Sequence, residues 1–399
     1  MIRNNTNGKS VVILNGARTP FGNFGGALKD VTAIDLGVVA SKEALRRSGV
    51  SPEKIDHVIF GNVMQTSADA IYGARHVGLK VGCRIETPAL TLNRLCGSGL
   101  QAIISGAEQI LLGEAEYVLA GGMENMSQAP HVIRGARWGL PLGQSRLEDS
   151  LWEGLTDSYN DMPMAITAEN LARQYEISRE ASDEFSLRSQ RAAVRSGSDG
   201  FFAEEIAPVH VRDRKAMLTV DKDEGPRPST STEALAKLPA RFKKDGIVTA
   251  GNASGITDGA AAVVLTSAEQ AERDGLKPLG RLVSWGIVGV DPDVMGIGPA
   301  FAIPQALERA GLTLDRVDVV EINEAFAPQV LACADELGLE VERLNPNGGA
   351  ISLGHPLGAS GARLAYTLLH ELQRRKKRYG VASACIGGGQ GIAGVVEAF

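Results

Sequence analysis

Apolar positions along the chain fall into two recurring patterns. Val11 to Leu14, Pro88 to Leu92, Tyr117 to Ala120, Ala260 to Thr266, Val317 to Ile322, Val381 to Ile386 and Ile392 to Val396 are short, nearly continuous apolar runs. Such runs predict strands buried on both faces. Between them, Leu100, Ile103, Ile104, Ala107, Ile110 and Leu111 recur at helical spacing, as do Leu364, Leu368 and Leu372. Strands alternating with amphipathic helices predict an α/β fold built of βαβ units. Two of the strand-like runs end in glycine, at Gly121-Gly122 and at Gly387-Gly388-Gly389.

The pattern occurs twice. Ala44-Leu45-Arg46-Arg47-Ser48-Gly49, with Asp56 and Val58, aligns without gaps on Ala306-Leu307-Glu308-Arg309-Ala310-Gly311, with Asp318 and Val320, at an offset of 262 residues. Leu95, Ser98 and Gly99 fall on Leu357, Ser360 and Gly361 at the same offset. So long a period means two copies of one domain, not a solenoid of short units. In the second copy a glycine turn leads straight from one strand to the next. In the first, the returning strand arrives only after a charged, Pro/Ser/Thr-containing stretch that includes Arg179 to Arg195 and Pro226 to Thr232. The expected organisation is therefore a first half at 1–125 and 257–277, an inserted subdomain at 126–256, and a second half at 278–399. An insertion lying over a duplicated core is a natural place to hold a ligand.

Composition narrows the class. The 399 residues include 47 glycines without a G-X-Y period, which predicts many tight turns and close backbone approaches. No apolar run reaches the ~18 residues of a membrane helix. Met1 to Ser10 is polar and carries only Arg3 and Lys9, unlike a secretory signal or an Arg-rich leader, so a cytoplasmic protein is expected. A net charge of −6 gives no footprint for nucleic acid. Cys83, Cys96, Cys333 and Cys385 show neither disulfide-scaffold nor metal spacing, and no metal site is expected.

Three glycine-rich turns hold candidate chemistry. Cys96, in Asn93-Arg94-Leu95-Cys96-Gly97-Ser98-Gly99, sits between a strand and a helix. It is either a nucleophile whose thiolate the helix N-terminus favours, or a buried structural thiol. His355 lies in the turn-rich segment Asn345 to Pro356 and matches Asn93 by the 262-residue offset. If the copies pack in pseudo-symmetry, both turns meet near one cleft, where His355 is a base or a carbonyl donor; otherwise it is a loop histidine. Cys385 precedes Ile386-Gly387-Gly388-Gly389-Gln390-Gly391, whose N–H groups suit an oxyanion. A phosphate loop is disfavoured because no Lys-Ser/Thr follows. Asn323-Glu324-Ala325-Phe326 closes another strand, and its polar residues either cap the turn or hold a water.

These motifs together resemble the thiolase family of acetyl-CoA acetyltransferases and 3-ketoacyl-CoA thiolases. The resemblance covers nearly the full length and rests on Asn-Arg-Leu-Cys-Gly-Ser-Gly, Asn323-Glu324-Ala325-Phe326, Gly354-His355-Pro356-Leu357-Gly358 and Cys385-Ile386-Gly387-Gly388-Gly389, in family order. It implies a duplicated five-layer α-β-α-β-α core with an inserted loop domain. It also implies a homodimer or homotetramer, with acyl-CoA, acetyl-CoA and CoA as substrates and no separate cofactor. Cys96 resembles the nucleophile and His355 the base that activates it and then contacts the thioester oxygen. Asn323 resembles the residue holding a water in that oxyanion hole, and Cys385 the acid/base at the acetyl α-carbon. The N–H groups of Cys96 and Gly387 resemble a second oxyanion hole. For CoA the carried-over residues are Ser254, in Gly251-Asn252-Ala253-Ser254-Gly255 at a strand start, together with Met164, Phe326 and Arg227. Arg227 lies among Lys222, Lys237, Arg241, Lys243 and Lys244.

One departure concerns substrate. Short-chain members often carry His-Met-Gly where this chain has Pro163-Met164-Ala165, which puts a strict acetoacetyl-CoA preference in doubt. A β-ketoacyl synthase would pair its cysteine with two histidines, or with a His and an Asn, and here Cys385 stands at the second position. A non-catalytic acyl-CoA or lipid-binding relative would be expected to lose Cys96, His355 or Cys385, and all three are present. No G-x-G-x-x-G follows the first strand, which argues against a dinucleotide site.

Overall fold

The computed structural model describes residues 9–143, 146–213 and 216–399; Met1 to Gly8, and with them most of the N-terminal segment read above, lie outside the described residues. Ten strands form one mixed sheet. They are β1 (Val11–Arg18), β2 (Gly22–Asn23), β3 (His57–Gly61), β4 (Ala89–Leu92) and β5 (Tyr117–Asn125), then β6 (Thr257–Ser267), β7 (Gly280–Gly289), β8 (Val319–Ile322), β9 (Tyr379–Ile386) and β10 (Gln390–Ala398). Their order is β8-β9-β10-β7-β1-β6-β5-β3-β4, with β2 beside β6. The two halves join where β1 runs antiparallel to β7 through Val11, Val12 and Ile13. β3 pairs in parallel with β4 and β5, and β8 pairs in parallel with β9.

Alternation along the strands sorts the core into layers. Val12 and Leu14 face the outer helices α1 (Ala33–Ser48) and α2 (Gly73–Val81), alongside Ile34, Leu36 and Val77. Val11 and Ile13 face inward, where α3 (Ser98–Leu112) and α6 (Leu357–Arg375) fill the centre with Ile103, Ile104, Leu364 and Leu368. Beyond the second half-sheet, α4 (Gly298–Ala310) and α5 (Ala327–Leu337) pack Ile303 and Val330 against Val320 and Val381. The architecture is the five-layer α-β-α-β-α core. Both faces of the central strands are buried, which is why they read as continuous apolar runs; β4 at the sheet edge departs from that expectation, with Leu90 exposed.

The repeat is written in hydrogen bonds as well as in sequence. Gly49 ends α1 at φ 70° with its N–H on the Arg46 and Leu45 carbonyls; Gly311 ends α4 at φ 67° on Glu308 and Leu307. Asp56 accepts from the N–H groups of Glu116 and Tyr117, and Asp318 from those of Arg378 and Tyr379, all at 3.0 Å. The central helices cross at Gly99 and Gly361. A Cβ on Gly99 would lie 2.5 Å from the Ala362 nitrogen, and one on Gly361 would lie 2.3 Å from the Leu100 nitrogen. Only glycine permits that approach, and it brings the N-terminal turns of α3 and α6 to one place.

Between β5 and β6 the chain leaves the core. This stretch includes helices Met164–Gln174 and Arg179–Ser198 and a hairpin of Val209–Asp213 with Ala216–Val220. Arg18 at the end of β1 holds it down. Its Nε donates to Glu205 Oε2 at 2.8 Å, and its two terminal nitrogens donate to Asp223 at 2.7 and 2.9 Å.

Candidate active site

The Cys96 turn is held by short-range bonds. Asn93 Oδ1 accepts from the Leu95 N–H at 2.8 Å, and Ser98 Oγ accepts from the Arg94 N–H at 2.8 Å while donating to the Leu95 carbonyl at 2.7 Å. Leu95 is thereby held at φ 45°, a left-handed conformation that costs a non-glycine residue on the order of 1 kcal/mol. The Cys96 thiol is half-buried among Val63, Met64, Met126 and Leu357, and receives the N–H groups of Gly387 and of its own residue. Burial pushes the thiol up to about 11; those donors pull the other way, and the Glu124 charge adds to the rise. Desolvation outweighs the N–H groups, so the proton must be removed by a base.

His355 supplies a neutral imidazole. Gly354, at φ 100° against Thr257, turns the chain so that the His355 N–H reaches the Gly255 carbonyl at 3.2 Å and Thr257 Oγ1 at 3.1 Å. The ring is buried, with Nδ1 2.5 Å from Ser360 Oγ and Nε2 3.2 Å from Asn323 Nδ2. Burial lowers its pKa to about 3, and the Arg363 charge acts in the same direction. Asn323, just past β8, donates its N–H to the Ser383 carbonyl at 2.9 Å. Its Oδ1 has no protein hydrogen-bond partner among the described residues.

Glu324 beside it has a different task. It accepts from Ser189 Oγ, Asn345 Nδ2 and the Ile351 N–H at 2.7, 2.9 and 3.2 Å, organising the turn that leads to His355. Of the two readings left open for that pair, Glu324 braces a turn, while Asn323 reaches the imidazole.

Cys385 lies one residue before the end of β9, fully buried with Met295, Ala325, Met164 and Phe326. Burial pushes its thiol well above the ordinary range, and the nearby Cys96 and Cys333 raise it further. Gly388 and Gly389, at φ 79° and 83°, make the tight turn into β10 and leave the Gly387 N–H facing Cys96. Cys333 is core: its thiol donates to the Gly296 carbonyl at 3.2 Å.

A cleft beside the His355 turn is lined by Arg227, Ser229, Gly251, Ala253, Gly255 and Gly354, among others. Ser254 sits between two lining residues, with its N–H on the Ala325 carbonyl at 2.9 Å. The strand expected to start here begins only at Thr257, because Asn252 folds the preceding loop onto Thr249 and Ile247. Met164 and Phe326 pack against Cys385 and are not among the residues lining this cleft. Of the basic residues grouped with Arg227 in the sequence, only Arg227 lines the cleft.

Two functional positions escaped the sequence reading. Glu124 is a buried carboxylate, pushed up to about 7 by burial, which accepts from the N–H groups of Val63, Met64 and Gly358 at 2.9–3.0 Å. It ties the first half to the start of α6. Ser360 is legible in the sequence only as a repeat position matching Ser98; its partnership with His355 is not, since Ser98 bonds the Arg94 N–H and the Leu95 carbonyl instead. Among the described residues no group of three or more His, Cys, Asp or Glu could hold a metal ion, and no helix is long and apolar enough to cross a membrane.

The duplicated core and the three converging turns define a thiolase, and the chain belongs to that family: residues 11–269 match the family model "Thiolase, N-terminal domain" and residues 276–398 match "Thiolase, C-terminal domain". Among its relatives, the mitochondrial 3-ketoacyl-CoA thiolase of Homo sapiens is 54% identical over 390 residues, covering 98% of each chain. A β-ketothiolase of Cupriavidus necator is 49% identical, covering 98% of this chain and 99% of the relative. The crystal structure of the human mitochondrial enzyme superposes with a TM-score of 0.96 at 53% identity, covering 98% of this chain and 99% of that one. A second crystal structure of that enzyme is a complex with CoA.

The relatives also overturn the cytoplasmic expectation. The human, Pongo abelii and Bos taurus proteins, 53–54% identical, are all named mitochondrial.

Proposed function

We propose that the protein is a CoA-dependent acyltransferase that cleaves 3-ketoacyl-CoA with CoA, and runs the reverse Claisen condensation, through an acyl-Cys96 intermediate. The observation that carries this reading is the Cys96 thiol receiving the Gly387 N–H beside the buried Cys385. In thiolysis, His355 takes the Cys96 proton as sulfur attacks the 3-keto carbon. The bond between C2 and C3 breaks, and Cys385 gives its proton to the departing acetyl-CoA carbanion. The CoA thiol then attacks the acyl-cysteine and its proton returns to Cys385, while Cys96 recovers the proton held by His355. The Cys96 and Gly387 N–H groups stabilise the oxyanion on the acyl group, and His355 with a water on Asn323 stabilises the enolate of the acetyl thioester. Removing one such donor typically costs roughly 3–4 kcal/mol of barrier.

The CoA moiety occupies the cleft between Arg227 and Gly354, with Ser254 near the pantetheine and Met164 and Phe326 at the thioester. Pro163 and Ala165 beside Met164 suit 3-ketoacyl chains longer than acetoacetyl. Pairing into a homodimer or homotetramer is in keeping with β4, an edge strand with a half-exposed Leu90. A mitochondrial setting and a part in fatty-acid β-oxidation accord with the named relatives. Steady-state kinetics test the proposal. Parallel initial-rate lines, loss of both directions in Cys96→Ala and a kcat/KM that holds or rises with chain length are expected. Intersecting lines, or activity surviving in Cys96→Ala, would overturn it.

A further inference from the structure

The two copies place a serine at the same point of their central turns, and the two serines bond differently. In the first copy Ser98 Oγ accepts from the Arg94 N–H, four residues back, at 2.8 Å and donates to the Leu95 carbonyl at 2.7 Å. At an offset of 262 residues, Arg94 corresponds to Pro356 and Ser98 to Ser360. Proline has no N–H. The donor that occupies Ser98 Oγ is therefore missing in the second copy. Ser360 Oγ donates instead to the Pro356 carbonyl at 2.9 Å, and its lone pairs face His355 Nδ1 at 2.5 Å.

We propose that Pro356 and Ser360 act together as positioning residues that fix the tautomer of His355. With its single proton on the Pro356 carbonyl, the Ser360 hydroxyl can only accept from the ring, so Nδ1 carries the imidazole proton. Nε2 is left as a lone pair, which accepts from the Asn323 amide at 3.2 Å until substrate chemistry requires it. A base must present that lone pair to take a proton, so the inference rests on the role proposed for His355 above. His355, Ser360 and Asn323 are all buried, so the partner at Nδ1 is the serine hydroxyl. The duplicated turn that braces the nucleophile in one half orients the base in the other, and one proline makes the difference.

The direct test is the ring's nitrogen chemical shifts in protein carrying ¹⁵N-histidine, which report the tautomer whatever the activity. The expected result is a pyrrole-type Nδ1 and a pyridine-type Nε2 for His355. A protonated Nε2 in the wild-type protein would overturn the proposal, even if His355 remained the base. Kinetically, Ser360→Ala should lower kcat by about 10²-fold, within the range of general-base effects, with KM within about twofold. Ser360→Thr, which keeps the hydroxyl, should restore most of the rate. Pro356→Ala returns a competing N–H and should lower kcat in the same direction. An unchanged kcat in both Ser360→Ala and Pro356→Ala would count against it. So would a Ser360→Thr variant as impaired as Ser360→Ala, since that would mark a packing role.

Discussion

At Cys96 two influences compete. The Gly387 N–H and the residue's own N–H favour the anion, while burial and the Glu124 charge oppose it, and the thiol ends at about 11. His355, with its pKa near 3, does not hold the proton at rest either. Both groups are neutral at rest, and in the proposed mechanism the proton moves as the new carbon–sulfur bond forms. Alkylation of Cys96 by iodoacetamide, followed by peptide mapping, should therefore accelerate about tenfold per pH unit through pH 9. A rate already level by pH 7 would instead show a preformed thiolate–imidazolium pair. The residue types at these positions were legible in the sequence, since Cys96, His355 and Cys385 each lie in a glycine-rich turn. The balance of forces was not, because it depends on neighbours such as Glu124 and Arg363 that belong to other parts of the chain.

Among the elements, α3 and α6 decide whether the site exists. Their contact at Gly99 and Gly361 sets the separation of the Cys96 and His355 turns. The 262-residue offset announced this symmetry, and each apolar run holds a strand, whereas β3 and β7 were not read from the sequence. Less legible were features that depend on distant partners. Glu124 reads as an ordinary strand residue until Gly358 is seen to donate to it at 2.9 Å, and the loop before β6 is shaped by Asn252 rather than by strand propensity. Gly361→Ala adds a methyl group 2.3 Å from a backbone nitrogen, so the helices must move apart. The expected cost is about 1–3 kcal/mol in a urea or thermal unfolding measurement, accompanied by a fall in kcat. Wild-type stability and rate in that variant would mean the close crossing is not what aligns the turns.

Across the whole molecule, duplication supplies two equivalent turns, and the insertion supplies most of the lining of the cleft beside the His355 turn. Arg18 joins these parts, since a side chain at the end of the first strand holds Glu205 and Asp223 of the insertion in a fully buried cluster. The insertion is thus fixed over the core, with Met164 against Cys385 and Arg227 on the cleft wall. The account centres on a division of labour between a half-buried and a buried cysteine, Cys96 forming the acyl bond and Cys385 moving the α-proton. Peptide mass mapping of Cys385→Ala after incubation with acetyl-CoA addresses it most directly. The account predicts an acetyl group on the Cys96 peptide, formed slowly and persisting, with no condensation product. An unmodified Cys96 in that variant, together with an acetyl group on Cys385 in the wild-type enzyme, would contradict it.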